Sequence, residues 1–375
     1  MDEQLQGLEL RSTVTADGLL RVSLETVSLD EPGPDEVIVQ VEATPINPSD
    51  LGLLLGPADA STMRTEGPSE RPTLVANIPQ QRIPSVAGRL GQSMPVGNEG
   101  AGTVVRAGAN VAGLLGRKVG MIGGGMYTQY RKLAAANCVP LPKGASAADG
   151  AAMFVNPLTA LGFVETMKAE GHSALVHTAA ASNLGVTLNR VCLADGIPLV
   201  NIVRSEAQAA SLRAIGARFV VDSTSPDFQT ELTEAVAATG ATLGFDAVGG
   251  GELAGQMLHA MEAAATRGGG GYSIYGSGTR KQVYIYGALD PGPTVINRTF
   301  GLSWSVSGWL LTPFLQKIGP DTAARLRKRV ADELRTTFAS HYKAVIGLAD
   351  ALRPEIVAAY QKKATGEKYL IDPTR

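Results

Sequence analysis

Apolar and polar residues alternate with a period of two near the start of the chain. Leu19-Leu-Arg-Val-Ser-Leu and Glu36-Val-Ile-Val-Gln-Val-Glu read as strands separated by the turn Glu31-Pro-Gly-Pro-Asp35. Ile46-Asn-Pro-Ser-Asp50 is a further turn, followed by a short apolar helix to Leu55. Residues 56–95 are rich in Pro, Ser, Thr and Gly, with Arg64, Arg71, Arg82 and Arg89 spread through them. They read as a long loop, either a surface excursion or a flap over a cleft. The β pattern resumes at Val96–Val105 and Arg117–Ile122, so the first 145 or so residues are mostly β.

The periodicity changes after that point. Ser146–Glu170 reads as helix, broken at Asn156-Pro157. Strand and helix patterns then alternate to about residue 303. Strands are expected at Arg218–Asp222, Ala241–Val248, near Tyr272–Ile274 and at Val283–Ala288, with helices at Pro226–Thr239 and Glu252–Ala263. Such alternation implies a parallel sheet with right-handed crossovers. The last 70 or so residues carry helices at about Asp321–Thr337 and Pro354–Lys363 and a terminal strand, Lys368–Ile371.

One unit within the alternation carries candidate chemistry. Ala174-Leu-Val-His-Thr178 is a buried-type strand, followed by small residues from Ala179 to Gly185 and a helix over about Val186–Ala194. Asp195-Gly196 stops the helix, and Ile197–Val203 is a second strand. This has the size of a mononucleotide-binding βαβ unit, whose small-residue turn admits a pyrophosphate to a helix N-terminus. The glycine fingerprint is degenerate, with Ala180, Ser182 and Asn183 where glycines would stand. After the second strand comes Arg204 rather than an acidic residue. A guanidinium suits a ribose 2′-phosphate and cannot accept from ribose hydroxyls, which points to NADPH.

Composition narrows the classes. The chain has 375 residues, enough for about two domains, with an ordinary globular balance of 44% hydrophobic and 18% charged residues. A net charge of −2 gives no sign of nucleic acid or an anionic membrane as partner. Cys138 and Cys192 cannot build a disulfide framework or a four-cysteine zinc site. The N-terminal residues lack a signal-peptide pattern, and the expectation is a soluble cytoplasmic protein with no membrane association. His172, His177, His259 and His341 are scattered, and His177 reads as a packed strand residue.

Four motifs in order, Asn47-Pro-Ser-Asp50, Gly97-Asn-Glu-Gly-Ala-Gly102, Tyr127-Thr-Gln-Tyr130 and the nucleotide unit, resemble the medium-chain dehydrogenase/reductase superfamily. Val155-Asn-Pro-Leu-Thr-Ala160 and Asn201-Ile-Val-Arg204 are similar to runs in its zinc-free quinone oxidoreductase and enoyl thioester reductase branches. The resemblance implies an α/β chain with a GroES-like β-rich catalytic domain over 1–152, including the 56–95 insertion, and a Rossmann domain with a doubly wound parallel sheet over 153–303. It has 304–375 returning to the first domain. Where zinc relatives keep Cys and His, this chain has Asn47, Ser49 and Asn98, so no metal is expected.

The resemblance also implies roles. Asn47 and Thr159 would lie near the nicotinamide, with Ala180, Ser182, Asn183 and Leu184 at the pyrophosphate. Arg204 and Ser205 would hold the 2′-phosphate, and Val248 and Gly249 the cofactor ribose. Tyr286, Gly287, Ala288 and Leu289 would border the nicotinamide, and Lys368 matches a lysine of the family's terminal strand, although Glu367 intervenes. The enoyl reductases place a catalytic tyrosine after the glycine corresponding to Gly56, and here Pro57, Ala58 and Asp59 follow instead. Asn47 and Tyr127 are the candidate catalytic residues. Quinone reduction takes its proton from solvent, so a quinone or activated enone is favoured as acceptor. An enoyl thioester reductase and an NADPH-binding protein with little turnover are the alternatives. A homodimer is expected through Val283–Ala288 as an uncovered sheet edge beside the apolar run from Gly301 to Leu311.

Overall fold

The computed structural model describes residues 4–267, 273–362 and 365–375. The chain divides into two compact units, 1–155 with 329–375, and 156–328. In the first unit the strands are β1 (Leu5–Val14), β2 (Leu19–Leu29), β3 (Glu36–Pro45), β4 (Arg64–Glu66), β5 (Thr73–Asn77), β6 (Met94–Pro95), β7 (Glu99–Ala107), β8 (Lys118–Ile122), β9 (Tyr130–Ala134) and β10 (Cys138–Pro140), with α1 (Leu51–Leu54) and α2 (Ala147–Gly150). The chain leaves this unit through α3 (Val155–Ala169).

The second unit alternates regularly. It holds β11 (Leu175–His177), α4 (Asn183–Asp195), β12 (Leu199–Val203), α5 (Glu206–Ala214), β13 (Phe219–Asp222), α6 (Phe228–Thr239) and β14 (Leu243–Asp246). Then come β15 (Gly249–Gly251), α7 (Leu253–Thr266), β16 (Lys281–Ile285), β17 (Asp290–Thr294), β18 (Trp304–Gly308) and most of α8 (Leu311–Asp332). Back in the first unit are β19 (Ala344–Ile346), α9 (Pro354–Gln361) and β20 (Tyr369–Ile371). Residues 304–328 therefore stay with the second unit, and the chain re-enters the first at Arg329.

The first unit is built on two sheets. One runs β4-β5-β2-β1-β6, the other β10-β8-β7-β3-β20-β19 with β9 also on β3. The stretch expected as a loop over 56–95 instead supplies β4 and β5 to the first sheet. Leu74, Val75 and Ala76 are fully buried there, Leu74 and Ala76 in the same core as Leu20 and Val22. The three-residue apolar run Leu74-Val75-Ala76 is too short to stand out among prolines and glycines, and only pairing with β2 makes it a strand.

The second unit's sheet is parallel throughout, in the order β13-β12-β11-β14-β16-β18 among the described residues. This is the 3-2-1-4-5-6 order of a doubly wound dinucleotide fold, with its switch point between β11 and β14. Three expectations are corrected here. The apolar run after Gly301 is itself a strand, β18, which covers β16, so the sheet edge is Trp304–Gly308 and not Val283–Ala288. A strand near Tyr272–Ile274 is not found: Tyr272 lies outside the described residues, and Ile274 and Tyr275 form an exposed turn. Helix α3 is not broken at Asn156-Pro157, because Pro157 falls in its first turn, where proline removes no helical hydrogen bond.

Candidate functional site

In the first unit, the turn after β3 carries a buried polar cluster. The Asp50 carboxylate accepts from Asn47 N at 2.8 Å, Asn98 N at 3.0 Å and the Tyr127 hydroxyl at 2.9 Å. Burial nevertheless pushes Asp50 up to about 7, opposed by those donors. The same burial, together with the Asp50 carboxylate, raises the Tyr127 phenol well above its ordinary value. Tyr127, a candidate catalytic residue from the sequence, is fully buried and directs its hydroxyl at Asp50 and the Pro45 carbonyl.

Glu99, which opens β7, is the residue that sequence reasoning passed over. It is fully buried and accepts from the backbone N–H of Phe154 and Val155 at 2.8 and 2.9 Å and from Asn47 Nδ2 at 2.9 Å. Burial raises its pKa, while the Lys368 charge and these donors oppose the rise. Lys368, only 5% exposed, is lowered by its own burial and pulled back by Glu99 and Asp50. Because Asn47 gives its N–H to Glu99, its Oδ1 is turned away, buried and unpartnered. The signal for Glu99 was present as an acidic residue among close-packed glycines in Gly97–Gly102. Of the four arginines in 56–95, Arg89 lies beside this turn, donating to Leu53 O at 2.7 Å under Gly56.

In the second unit, the β11–α4 turn explains its own composition. Ala179 has φ of 48°, a left-handed conformation uncommon for a residue other than glycine. At Gly185 a Cβ would stand 2.1 Å from the Ala180 carbonyl oxygen, so this glycine of the degenerate fingerprint is required for close packing. Ser182 caps α4 by accepting from Gly185 N at 3.1 Å. The N–H groups of Asn183 and Leu184 carry no hydrogen bond among the described residues. Ala180 itself is fully buried. Asn201 is buried on β12 and paired with Asn189 of α4 at 2.6 and 3.1 Å, tying helix to sheet.

Arg204 follows β12 and is exposed, and among the described residues only its backbone N–H is engaged, to Gln208 at 3.1 Å. Ser205 caps α5, accepting from Gln208 N at 3.4 Å, so its oxygen already has one partner. At the end of β14, Asp246 holds the next turn by accepting from Val248 N at 2.9 Å, Gly249 N at 3.2 Å and Thr178 Oγ1 at 2.7 Å. Beyond β16, Gly287 packs so closely that a Cβ would meet the Ala247 carbonyl at 2.6 Å. Ala288 and Leu289 are exposed, and Thr159 is buried on α3. Tyr286, Gly287, Trp309, Leu310 and Pro313 line an open pocket of about 530 Å³. His177 is fully buried, and burial lowers it to about 3, so it is neutral. Among the described residues no cluster of His, Cys, Asp and Glu forms a metal site.

Known proteins resemble this chain in sequence and fold. Residues 33–143 match the alcohol dehydrogenase GroES-like domain. The chain is 28% identical over 208 residues to the mitochondrial enoyl-[acyl-carrier-protein] reductase of Xenopus tropicalis, a match covering 53% of this chain and 51% of that protein. The chain thus spans about half the length of that relative. A Mesorhizobium loti protein assigned as an NADPH:quinone reductase superposes over 100% of both chains with a TM-score of 0.74 and 26% identity. The mitochondrial 2-enoyl thioester reductase Etr1p/Etr2p heterodimer of Candida tropicalis shares the fold, with a TM-score of 0.68 and 18% identity over 98% of this chain and 100% of that one. The GroES-like match, the dinucleotide-type strand order and these full-length superpositions agree, and the chain has the fold and the GroES-like domain of medium-chain dehydrogenase/reductase proteins.

Proposed function

We propose that the protein is an NADPH-dependent reductase that passes hydride to a quinone or a similarly activated carbonyl. The observation that carries this reading is the exposed Arg204 at the end of β12, on the same edge of the sheet as the unpaired N–H groups that open α4. The residues fit the cofactor: Asn183 and Leu184 offer N–H donors and a helix dipole to a pyrophosphate. Arg204 offers a planar fork to a 2′-phosphate, with the Ser205 O–H beside it. The glycines at 185, 249 and 287 let neighbouring backbone segments pack closely around the turns at the ends of β11, β14 and β16. When bound, NADPH supplies the hydride from its nicotinamide ring. Asn47 offers a buried carbonyl oxygen to a ligand donor, its amide held in that sense by Glu99.

The acceptor class follows from Tyr127. Its hydroxyl is fully buried and already given to Asp50, which leaves a quinone, able to take its proton from solvent, better suited than an enoyl thioester. The second reading, 2-enoyl thioester reduction, is favoured by the likeness to the frog enoyl reductase. Steady-state NADPH oxidation against a panel of quinones and 2-enoyl thioesters decides between them. Turnover of quinones alone supports the first reading, turnover of thioesters alone the second. Tight NADPH binding without either supports a binding protein. We also infer a homodimer, since the edge of β18 is open and Leu302 and Leu310 beside it are exposed. Sedimentation showing only monomer at micromolar concentration would remove that inference.

A further inference from the structure

We propose that His177 is a positioning residue: it fixes the Tyr286 ring as a wall of the pocket beyond β16, so that the pocket admits a flat ring between Tyr286 and Trp309. This rests on the reading of the protein as a reductase of ring-shaped acceptors.

His177 ends β11, and Tyr286 follows β16, with β14 between them in the sheet. The Nε2 atom of His177 and the Tyr286 hydroxyl oxygen are 2.7 Å apart. The two rings lie nearly parallel, 15° apart with centroids 5.8 Å from each other. Phe163 on α3 completes the support. It stacks on Phe245 at 3.8 Å and meets Tyr286 and Trp309 edge-on at 4.9 and 4.8 Å. Trp309 is held from its other end by a hydrogen bond from Nε1 to Thr166 Oγ1 at 3.1 Å. Each aromatic wall of the pocket thus makes one polar contact, Tyr286 with His177 and Trp309 with Thr166.

The tautomer of His177 follows from its second nitrogen. Nδ1 is buried and has no partner. Burial keeps the ring neutral, so a single proton must sit on one nitrogen. A buried N–H without an acceptor is the costlier orphan. The proton is therefore placed on Nε2, so that His177 donates to the Tyr286 oxygen and the Tyr286 O–H is directed away from the imidazole. Glutamine can supply an N–H of similar reach, and leucine cannot.

The test uses 1,4-naphthoquinone as probe and two readouts. One is the split of KM against kcat with NADPH. The other is equilibrium quenching of Trp309 without cofactor, in a Trp304→Phe background where Trp309 is the one remaining tryptophan of two. His177→Leu should raise both KM and the quenching midpoint by about tenfold while kcat stays within about twofold, as the loss of one hydrogen bond implies, and Tyr286→Phe should raise the quenching midpoint by a similar factor. The double variant should be no worse than either single one, and His177→Gln should restore wild-type values. Additive losses, midpoints like wild type, or a failure of His177→Gln to rescue would overturn the proposal. If His177→Leu does not fold, Tyr286→Phe and His177→Gln still decide it. If wild type turns over no quinone, the reading of the reaction fails, whereas the quenching titration still judges His177.

Discussion

In the first unit Asp50 takes three donors, Glu99 takes three more, and Lys368 is buried near both. In the second unit the helix N–H groups of Asn183 and Leu184 are unpaired and Arg204 stands in solvent. One unit keeps its charges inside and satisfied, at a desolvation cost that shifts their titration. The other leaves donors open on the edge of a rigid sheet, where a ligand can complete them. The buried cluster organises the fold around the turn after β3, and the open edge is where the cofactor is proposed to bind.

The largest effect that follows is on Glu99. Glu99→Ala strands two backbone N–H groups and the Asn47 amide in a dry interior, and should cost about 3–5 kcal/mol in denaturant unfolding, as breaking a buried charge network does. A loss no larger than that of a surface substitution would mean that the first unit is not organised in this way.

Next comes pH, where the two units pull in opposite directions. Asp50 is pushed up to about 7 from 3.8, so the folded chain keeps a proton that the unfolded chain releases, and its contribution fades as pH rises through that window. His177 is lowered to about 3 from 6.5, so the unfolded chain takes a proton that the folded chain refuses, and stability is lost as pH falls below 6.5. Between about pH 4 and 6.5 the two slopes, each up to roughly 1.4 kcal/mol per pH unit, oppose each other. Asp50→Asn should leave stability rising with pH across that range, and His177→Leu should leave it falling. Parallel profiles for the two variants would break the comparison.

At the open edge the effects on stability are smaller. Gly185→Ala places a Cβ against the Ala180 carbonyl and should cost roughly 1–3 kcal/mol, together with NADPH affinity. Ser182→Ala removes the cap of α4 and should cost about 1 kcal/mol in thermal or denaturant unfolding.

The same contrast governs what the sequence revealed. The second unit was legible because its strands are continuous apolar runs and its turns are marked by small residues, so β11, α4 and β12 are readable within a few residues of their bounds. The position of Arg204, just after β12, was legible because a strand end is a fixed address in this fold. The first unit was less so. Thr73–Asn77 becomes a strand only through pairing with β2, and no local pattern announces it. Glu99 draws its role from Phe154 and Val155, more than fifty positions away, which no spacing rule reaches. The misplaced sheet edge has a similar cause: Trp304–Gly308 was read as an apolar run beside β16, when it is the next strand of the sheet.

The most direct test of the account is cofactor choice at Arg204. Dissociation constants for NADPH and NADH should be measured in wild type and in Arg204→Ala. A charge-assisted hydrogen bond contributes about 1.5–3 kcal/mol, so the substitution should weaken NADPH binding by about tenfold or more. NADH binding should barely move. Equal affinity of the wild type for the two cofactors would contradict the assignment and return Arg204 to a surface charge at a strand end.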